Sequence, residues 1–311
     1  CIIVQPIHDA GLAVLREAGL SVHVAASAQL EVLRPHLARA RAVITRNAGF
    51  TSAAMQAAPM LEVIGSHGAG VDSIDLPAAR ERGLAVVNTP GANAQSVCEL
   101  TFALIFACAK SIIAADRAVR SGDFDFRYAQ KSFELQGRTL GIVGFGHIGQ
   151  RVARMAQAMG MNVVVCSGAD ASLLAAHGID GADLDELCSR VDIVSLHTRP
   201  ERGVRIDRER LSGMKRGAVL INTARGALVD QAALAAALHS GHLAAAGLDV
   251  FAPEPPAADD PLFGAPNLVL APHIGGSTGE ALERTARHVC EDIVRVLRGE
   301  KPRNPVVERR P

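Results

Sequence analysis

Residues 139–160, TLGIVGFGHIGQRVARMAQAMG, read as a short apolar run, a glycine-rich turn and a long amphipathic segment. Leu140, Ile142 and Val143 suit a buried strand, and Gly144, Gly146 and Gly149 follow it directly as G-x-G-x-x-G. Beyond the turn, Ile148, Val152, Met155, Ala156 and Met159 recur at helical spacing. Strand, turn and helix thus come in the order that a dinucleotide site needs. The first glycine permits the tight turn, the second lets backbone approach a pyrophosphate, and the third lets helix pack closely on strand. The helix N-terminus offers amides and a partial positive charge to the phosphates. Glycines also mark ordinary turns, so the motif gains its meaning from the strand before it and the helix after it.

The rest of the composition fits a small-molecule partner. A chain of 311 residues, 49% of them apolar, suits two domains with sizeable cores. Lys plus Arg and Asp plus Glu both number 32, which argues against nucleic acid or an anionic membrane as partner. Six cysteines (Cys1, Cys98, Cys108, Cys166, Cys188, Cys290) form no C-x-x-C pair and no metal-ligand spacing, so no metal is expected. They read as reduced core residues of a cytoplasmic protein. The sequence opens on a strand-like run at 2–4, and no basic and apolar leader is expected. The greasiest stretch, 100–109, is bracketed by Glu99 and Lys110 and reads as a buried helix too short to cross a bilayer.

Residues 1 to about 90 alternate short apolar runs (2–4, 22–25, 42–45, 63–65, 84–87) with helical patterns (12–18, 30–37), which predicts a parallel sheet covered by helices. Ligands in such sheets sit beyond the carboxyl ends of the strands. Two turns there stand out: Thr45-Arg46-Asn47 offers a cation, and residues 65–70, GSHGAG, offer glycine-freed amides. Taken alone, Arg46 is equally a solvated charge and His67 a plain loop residue. The breaker cluster NTPGAN at 88–93 precedes a long apolar helix predicted from Gln95 to about Ala115, a natural crossing into a second domain. After the glycine turn, strands are predicted at 163–166, 193–196, 218–221, 245–248 and 268–270. A final helix, 278–297, starts on Thr278 and Glu280 and is expected to return to the first domain. The expected division is 1–92 with 276–311 for one domain and 93–275 for the other.

Three polar residues sit at or just past strand ends of the second half: Arg225 in INTARGALVD, Glu254 in LDVFAPEP and His273 in LAPHIGG. Each has a bland reading, as a helix-capping Arg, a solvated loop Glu and a satisfied structural imidazole. Together they supply a cation, a carboxylate and an imidazole beside a dinucleotide site.

In these motifs the chain resembles the D-isomer-specific 2-hydroxyacid dehydrogenases, a family that includes phosphoglycerate dehydrogenase and the glyoxylate/hydroxypyruvate reductases. The resemblance covers nearly the whole chain through SHGAGVDSIDL, NTPGANAQSVCELT, GRTLGIVGFGHIGQ, DIVSLHT, GAVLINTARGALVD, AAAGLDVFAPEPP and NLVLAPHIGGST. It implies an α/β chain of two Rossmann-like domains: a discontinuous, flavodoxin-like substrate domain and an inserted, doubly wound NAD(P)-binding domain. It also implies Arg225, Glu254 and His273 as the catalytic trio. Cofactor contacts are implied for Gly144, Gly146, His147, Ile148, Gly149, Ser167, Thr198, Thr223, Ala224, Asp249, Gly275 and Gly276. The backbone amides of His67, Gly68 and Ala69, with Arg46 nearby and Arg225, are implied to hold the substrate carboxylate in a cleft between the domains. A homodimer through the nucleotide domain is implied by the resemblance alone.

The residue types suit the reaction. A guanidinium can hold the carboxylate of a 2-oxo acid and reach its carbonyl oxygen. A hydride goes to C2 and a proton to the developing alkoxide, with His273 as donor. Glu254 is expected to hydrogen-bond the other ring nitrogen, fix the tautomer and raise the pKa.

Two departures bear on cofactor and substrate. Family members that use NAD usually end the second strand of this domain with an Asp that accepts from the ribose hydroxyls; here the aligned residue is Ser167, and no Arg or Lys follows before Ile179. NADP is therefore permitted without being demanded. Asp170 is either a displaced acid or a turn or cap residue. Arg199 departs from the family pattern as well and is a candidate cation for a 2′-phosphate. The loop at Ser66-His67 lacks the Arg that phosphoglycerate dehydrogenases often carry, and no regulatory domain is expected after residue 311, two readings that together disfavour a phosphorylated substrate; Arg46 and Arg127 keep that possibility open. The expectation is an NAD- or NADP-dependent reductase of a small 2-oxo acid. Its alternatives are a 3-phosphoglycerate dehydrogenase and, from another class, a dinucleotide-sensing protein like the family's corepressor branch.

Overall fold

The computed structural model describes residues 1–129 and 132–309, and the chain divides into two compact units, Cys1–Asn93 with Gly276–Pro311, and Ala94–Gly275. Its strands are β1 (Ile2–Ile3), β2 (His23–Val24), β3 (Ala42–Thr45), β4 (Val63–Ser66), β5 (Ala85–Val87), β6 (Thr139–Val143), β7 (Asn162–Cys166), β8 (Asp180–Gly181), β9 (Ile193–Leu196), β10 (Val219–Asn222), β11 (Ala245–Leu248), β12 (Leu268–Leu270) and β13 (Pro305–Val307).

In the first unit the order is β2-β1-β3-β4-β5-β13, parallel except for β13, which pairs antiparallel with β5. Successive side chains enter opposite cores. Ile2, Val43, Ile64 and Val86 pack with Leu33, Leu37 and Met55, while Ile3, Ile44, Val63 and Val87 pack with Leu15, Val289 and Ile293. Both faces are covered, so the strands read as unbroken apolar runs. The order 2-1-3-4-5 is the flavodoxin-like one, and its reversal falls between β1 and β3. Helix Gly279–Leu297 packs on helix Asp9–Glu17 and on β4, and the Thr278 hydroxyl caps it by accepting from Ala281 N at 3.3 Å.

In the second unit the order is β12-β11-β10-β9-β6-β7-β8, parallel throughout. Leu140, Ile142 and Ile221 face Phe102, Ile105, Val152 and Ala156; Val194, Leu220 and Leu248 face Leu187, Leu211 and Leu234. Counted from β6, the strands run 3-2-1-4-5-6 with one more at the edge, the doubly wound order whose reversal lies between β6 and β9.

The single helix predicted from Gln95 to about Ala115 is two. Ala94–Ala109 ends, and Ile112–Arg120 departs at a 60° bend. Between them Ser111 takes φ 49°, a left-handed conformation that a right-handed helix cannot include. The first of the pair is apolar because it is core, with Cys98, Phe102, Ile105 and Cys108 buried. Among the described residues no single helix is long and apolar enough to cross a membrane.

Candidate active site

The three glycines of the turn differ in what surrounds them. Gly144 has φ 100°, and a Cβ there would lie 2.4 Å from the His197 carbonyl oxygen; a Cβ at Gly149 would lie 2.1 Å from the Gly144 oxygen. The first therefore needs the turn and the third the close packing. A Cβ at Gly146 would meet nothing within 4 Å, so open space lies where a bound group can come against the backbone. Gly146 is also the N-cap of helix His147–Ala158 and brings no side chain to cap it. The first bond back to this cap is Gln150 N to Gly146 O at 3.0 Å, so the amides of His147 and Ile148 precede the helical ladder. An open cradle at Gly146 with helix-end amides aimed at it fits the pyrophosphate of a dinucleotide.

Across the sheet reversal, β9 ends at His197-Thr198. The built Cβ of Gly144 lies 3.1 Å from Thr198 Cβ, so this end of β9 forms one wall of the turn. The His197 imidazole has Nε2 at 2.9 Å from Ser195 Oγ and a buried Nδ1 with no partner, and burial pushes its pKa down to about 3. At the end of β7, Ser167 Oγ accepts from Ala169 N at 3.1 Å, and Asp170 caps helix Ala171–Ala176 by accepting from Ser172 N at 2.9 Å. Of the two readings of Asp170, the cap is the one seen. Arg199 is exposed, directly after Thr198.

Arg225, Glu254 and His273 all follow the carboxyl ends of neighbouring strands of the second unit. His273 Nδ1 lies 2.7 Å from Glu254 Oε2, and Glu254 Oε1 accepts from Phe251 N at 2.9 Å. The carboxylate is thus held by backbone on one oxygen and faces the imidazole with the other. Arg225 follows β10; its Nη1 donates to the Ala224 oxygen at 2.7 Å. Its loop is shaped by Asn222, whose Nδ2 donates to the Arg225 oxygen at 2.8 Å and whose Oδ1 accepts from Ala224 N at 3.0 Å. Thr223 Oγ1 is turned to Thr101 Oγ1 at 3.1 Å inside the unit. Asp249, 1% exposed, accepts from Ile274 N and Gly275 N at 2.8 Å each. Gly276 begins the return segment of the first unit. Asn222 was not singled out from the sequence; a polar residue closing the apolar run of β10 is the signal that could have found it.

In the first unit, β3 and β4 end alike. Thr45 Oγ1 donates to the Gly49 oxygen at 2.7 Å and Ser66 Oγ to the Gly70 oxygen at 2.6 Å, so each strand's last hydroxyl closes the loop after it. Gln5, just past β1, accepts from Arg46 N at 3.2 Å and Ala48 N at 2.9 Å, and Arg46 Nη1 donates to the Pro6 oxygen at 3.1 Å. These contacts hold Arg46 at the sheet reversal. Gln5 is a second residue missed in the sequence, with the same signal as Asn222.

The amides expected to bind a carboxylate need correction. His67 N donates to the Thr45 oxygen at 2.8 Å and Gly68 N to the Ser66 oxygen at 2.9 Å. The β3–β4 ladder runs one residue past the strands, and a tight turn follows, so the bonds that build the loop occupy two of the three expected donors. The Ala69 carbonyl is held by Asn88 Nδ2 at 2.8 Å. Burial, and then the charge of Arg46, push the His67 pKa down to about 4, so its ring is neutral at neutral pH and Arg46 is the cation of this pair.

The sequence profile described as "D-isomer specific 2-hydroxyacid dehydrogenase, NAD binding domain" matches residues 102–275. The chain is 39% identical to the D-3-phosphoglycerate dehydrogenase of Methanocaldococcus jannaschii over 98% of its own length and 59% of that protein's. It is 40% identical to the glyoxylate reductase of Korarchaeum cryptofilum over 81% of its length and 77% of the relative's. The chain spans between 50% and 59% of the length of the phosphoglycerate dehydrogenases it matches. Among solved structures, D-lactate dehydrogenase from Aquifex aeolicus complexed with NAD and lactic acid superposes with a TM-score of 0.87, at 29% identity and covering 100% of both chains.

Proposed function

This chain belongs to the D-isomer specific 2-hydroxyacid dehydrogenases, and from that premise we propose that it is an NAD(P)-dependent oxidoreductase that reduces a small 2-oxo acid of the glyoxylate or hydroxypyruvate kind. The observation that carries the reading is the 2.7 Å pair of His273 Nδ1 and Glu254 Oε2 on the reactive face of a doubly wound sheet. The dinucleotide, when bound, supplies the hydride that reaches C2. The chain's own groups do the rest. With Nδ1–H donating to Glu254, His273 Nε2 is the atom that delivers a proton to the alkoxide oxygen. Arg225 pairs with the substrate carboxylate and carbonyl oxygen through its planar fork.

A second reading, oxidation of 3-phosphoglycerate, is favoured by the name of the M. jannaschii relative. Turnover on glyoxylate, hydroxypyruvate, pyruvate and phosphohydroxypyruvate, each with NADH and NADPH, separates the two. Dominant kcat/KM on phosphohydroxypyruvate overturns the first reading, and no turnover on any of the four removes both.

For the cofactor, we propose that both NADH and NADPH serve. The end of β7 offers Ser167, not a carboxylate, and the Asp170 carboxylate is turned to the helix it caps, so no acid stands at the strand end to accept from the ribose hydroxyls. We also propose a homodimer. Phe106, Ile112, Ile113, Val119, Phe124 and Tyr128 are exposed together on and after helices Ala94–Ala109 and Ile112–Arg120, a grouping suited to a partner surface. The six cysteines all carry free thiols, four of them buried, which supports a reducing compartment such as the cytoplasm.

A further inference from the structure

Three consecutive amides, those of His273, Ile274 and Gly275, converge on one residue. The main-chain oxygen of Asp249 takes His273 N at 2.8 Å, Oδ1 takes Ile274 N at 2.8 Å and Oδ2 takes Gly275 N at 2.8 Å. Successive amides point the same way when neighbouring residues differ in backbone hand. Here the left-handed one is His273, at φ 55°. A bulky residue stays in that region only when its surroundings over-determine it. The surroundings do so from two sides: Ser96 Oγ donates to the Gly275 oxygen at 2.5 Å, and Asp249 N donates to the Asn222 oxygen at 2.9 Å, tying the arrangement to β10. Burial pushes the Asp249 pKa up, and the Ile274 and Gly275 amides oppose it. Both carboxylate oxygens accept, an arrangement matched to the ionised form.

We propose that Asp249 is the positioning residue of His273: its carboxylate fixes the left-handed backbone from which the imidazole meets Glu254. The family resemblance implies Asp249 as a cofactor contact, and this role is additional to that and acts through another residue. It rests on the reading of His273 as the proton carrier.

The test is a mutant cycle with two readouts, turnover and NADH affinity. Asp249→Asn keeps the shape but turns one acceptor into a donor that faces an amide. Its kcat should fall about 100-fold, the effect of roughly an ångström of misplacement, a larger loss than the one in NADH affinity to which its cofactor contact contributes. In a His273→Ala background the same change should cost almost nothing further, because a residue acting through His273 has nothing left to act on. Gly275→Ala is the second variant: its Cβ would lie 2.9 Å from Asp249 Oδ2, displacing the carboxylate without removing it, and a loss of kcat larger than the loss of NADH affinity is again expected. An NADH Kd weakened as much as kcat/KM with kcat intact overturns the proposal. So does an effect fully additive with His273→Ala, or loss of folding in both variants, which makes the carboxylate a general determinant of the unit's stability. Full turnover in His273→Ala alone would instead remove the reading of His273.

Discussion

His273 Nδ1 sits 2.7 Å from Glu254 Oε2, while the other oxygen of that carboxylate takes the Phe251 amide at 2.9 Å. The carboxylate therefore has two donors to satisfy, and one oxygen each is what it offers. Glu254→Gln leaves one carbonyl for two donors. Its kcat should fall by at least about 10-fold and up to about 10,000-fold, because the imidazole loses the carboxylate that fixes its tautomer. His273→Ala should lose about 100-fold to 10,000-fold, the worth of one acid–base group. Stopped-flow turnover with NADH titrations checks both, and in both the cofactor Kd should stay put. An unaltered kcat in either variant sinks the pair as catalytic machinery.

The glycine turn separates a role in binding from a role in folding. A Cβ at Gly146 meets nothing within 4 Å, whereas one at Gly149 lies 2.1 Å from the Gly144 oxygen. Gly146→Ala should melt within a few degrees of the parent and weaken NADH by at least about 10-fold, since the methyl fills the space proposed for the pyrophosphate. Gly149→Ala should lose stability of about 1–3 kcal/mol by overpacking, read as a lower Tm. Calorimetry on the two variants decides. A Gly146→Ala protein with parental NADH affinity contradicts the assignment of the turn.

Much of this was legible because it rests on local pattern. The run 140–143 followed by three spaced glycines specifies β6, the turn and the helix after it, and the apolar runs at 42–45 and 193–196 mark strands buried on both faces. What escaped depends on tertiary pairing. β8 is two exposed residues, Asp180 and Gly181, that gain strand geometry only by lying beside Val164 and Val165. β13 carries Pro305 and pairs antiparallel at an edge, where a missing amide is tolerated. The break at Ser111 leaves no composition signal, because serine is acceptable on either side of it. At the site, residue types named Arg225, Glu254 and His273, but not that Asn222 and Asp249 would shape their loops. Nor could the sequence reveal that the His67 and Gly68 amides are engaged by Thr45 and Ser66.

Two buried imidazoles make stability depend on pH. The pKa of His197 is pushed down to about 3 by burial, and that of His67 to about 4 by burial and Arg46, against an ordinary value near 6.5. The unfolded chain takes up these protons first, so it binds more of them below about pH 6.5 and stability rises with pH there. The contribution is fully present above about pH 6.5. It is lost as pH falls through the window, down to about 4 for His67 and about 3 for His197. Each ring adds a slope of up to about 1.4 kcal/mol per pH unit. Thermal unfolding followed by circular dichroism from pH 7.5 to 4.5 should show a falling Tm, with a shallower fall in His197→Gln. Parallel slopes for parent and variant exclude His197 as a source.

The exposed apolar group after Ala109 gives the dimer proposal a direct check. Ile112 is 54% exposed and Val119 59%, both on helix Ile112–Arg120. If this face is covered by a second copy, the parent sediments as a dimer at micromolar concentration, and Ile112→Glu with Val119→Glu sediments as a monomer. Burying two uncompensated carboxylates in such an interface costs several kcal/mol. A parent that sediments as a monomer, or a double variant that remains dimeric, removes the proposal.

Cofactor choice turns on Ser167 and Arg199. Ser167 accepts from Ala169 N and presents no charge at the end of β7, and Arg199 is exposed after Thr198 at the end of β9, across β6 from it. A 2′-phosphate carries about two negative charges that a guanidinium can pair with, while the unphosphorylated ribose gains little from it. Arg199→Ala should therefore raise the KM for NADPH about 10-fold, the loss of roughly one charge-assisted contact, and leave the KM for NADH within about twofold. Ser167→Asp should act in the opposite direction, placing a carboxylate that accepts from the ribose hydroxyls and repels the phosphate, so NADPH turnover falls and NADH turnover persists. Equal NADPH KM values for the parent and Arg199→Ala would refute the cation's role, and Ser167→Asp then reports whether the end of β7 alone sets the preference.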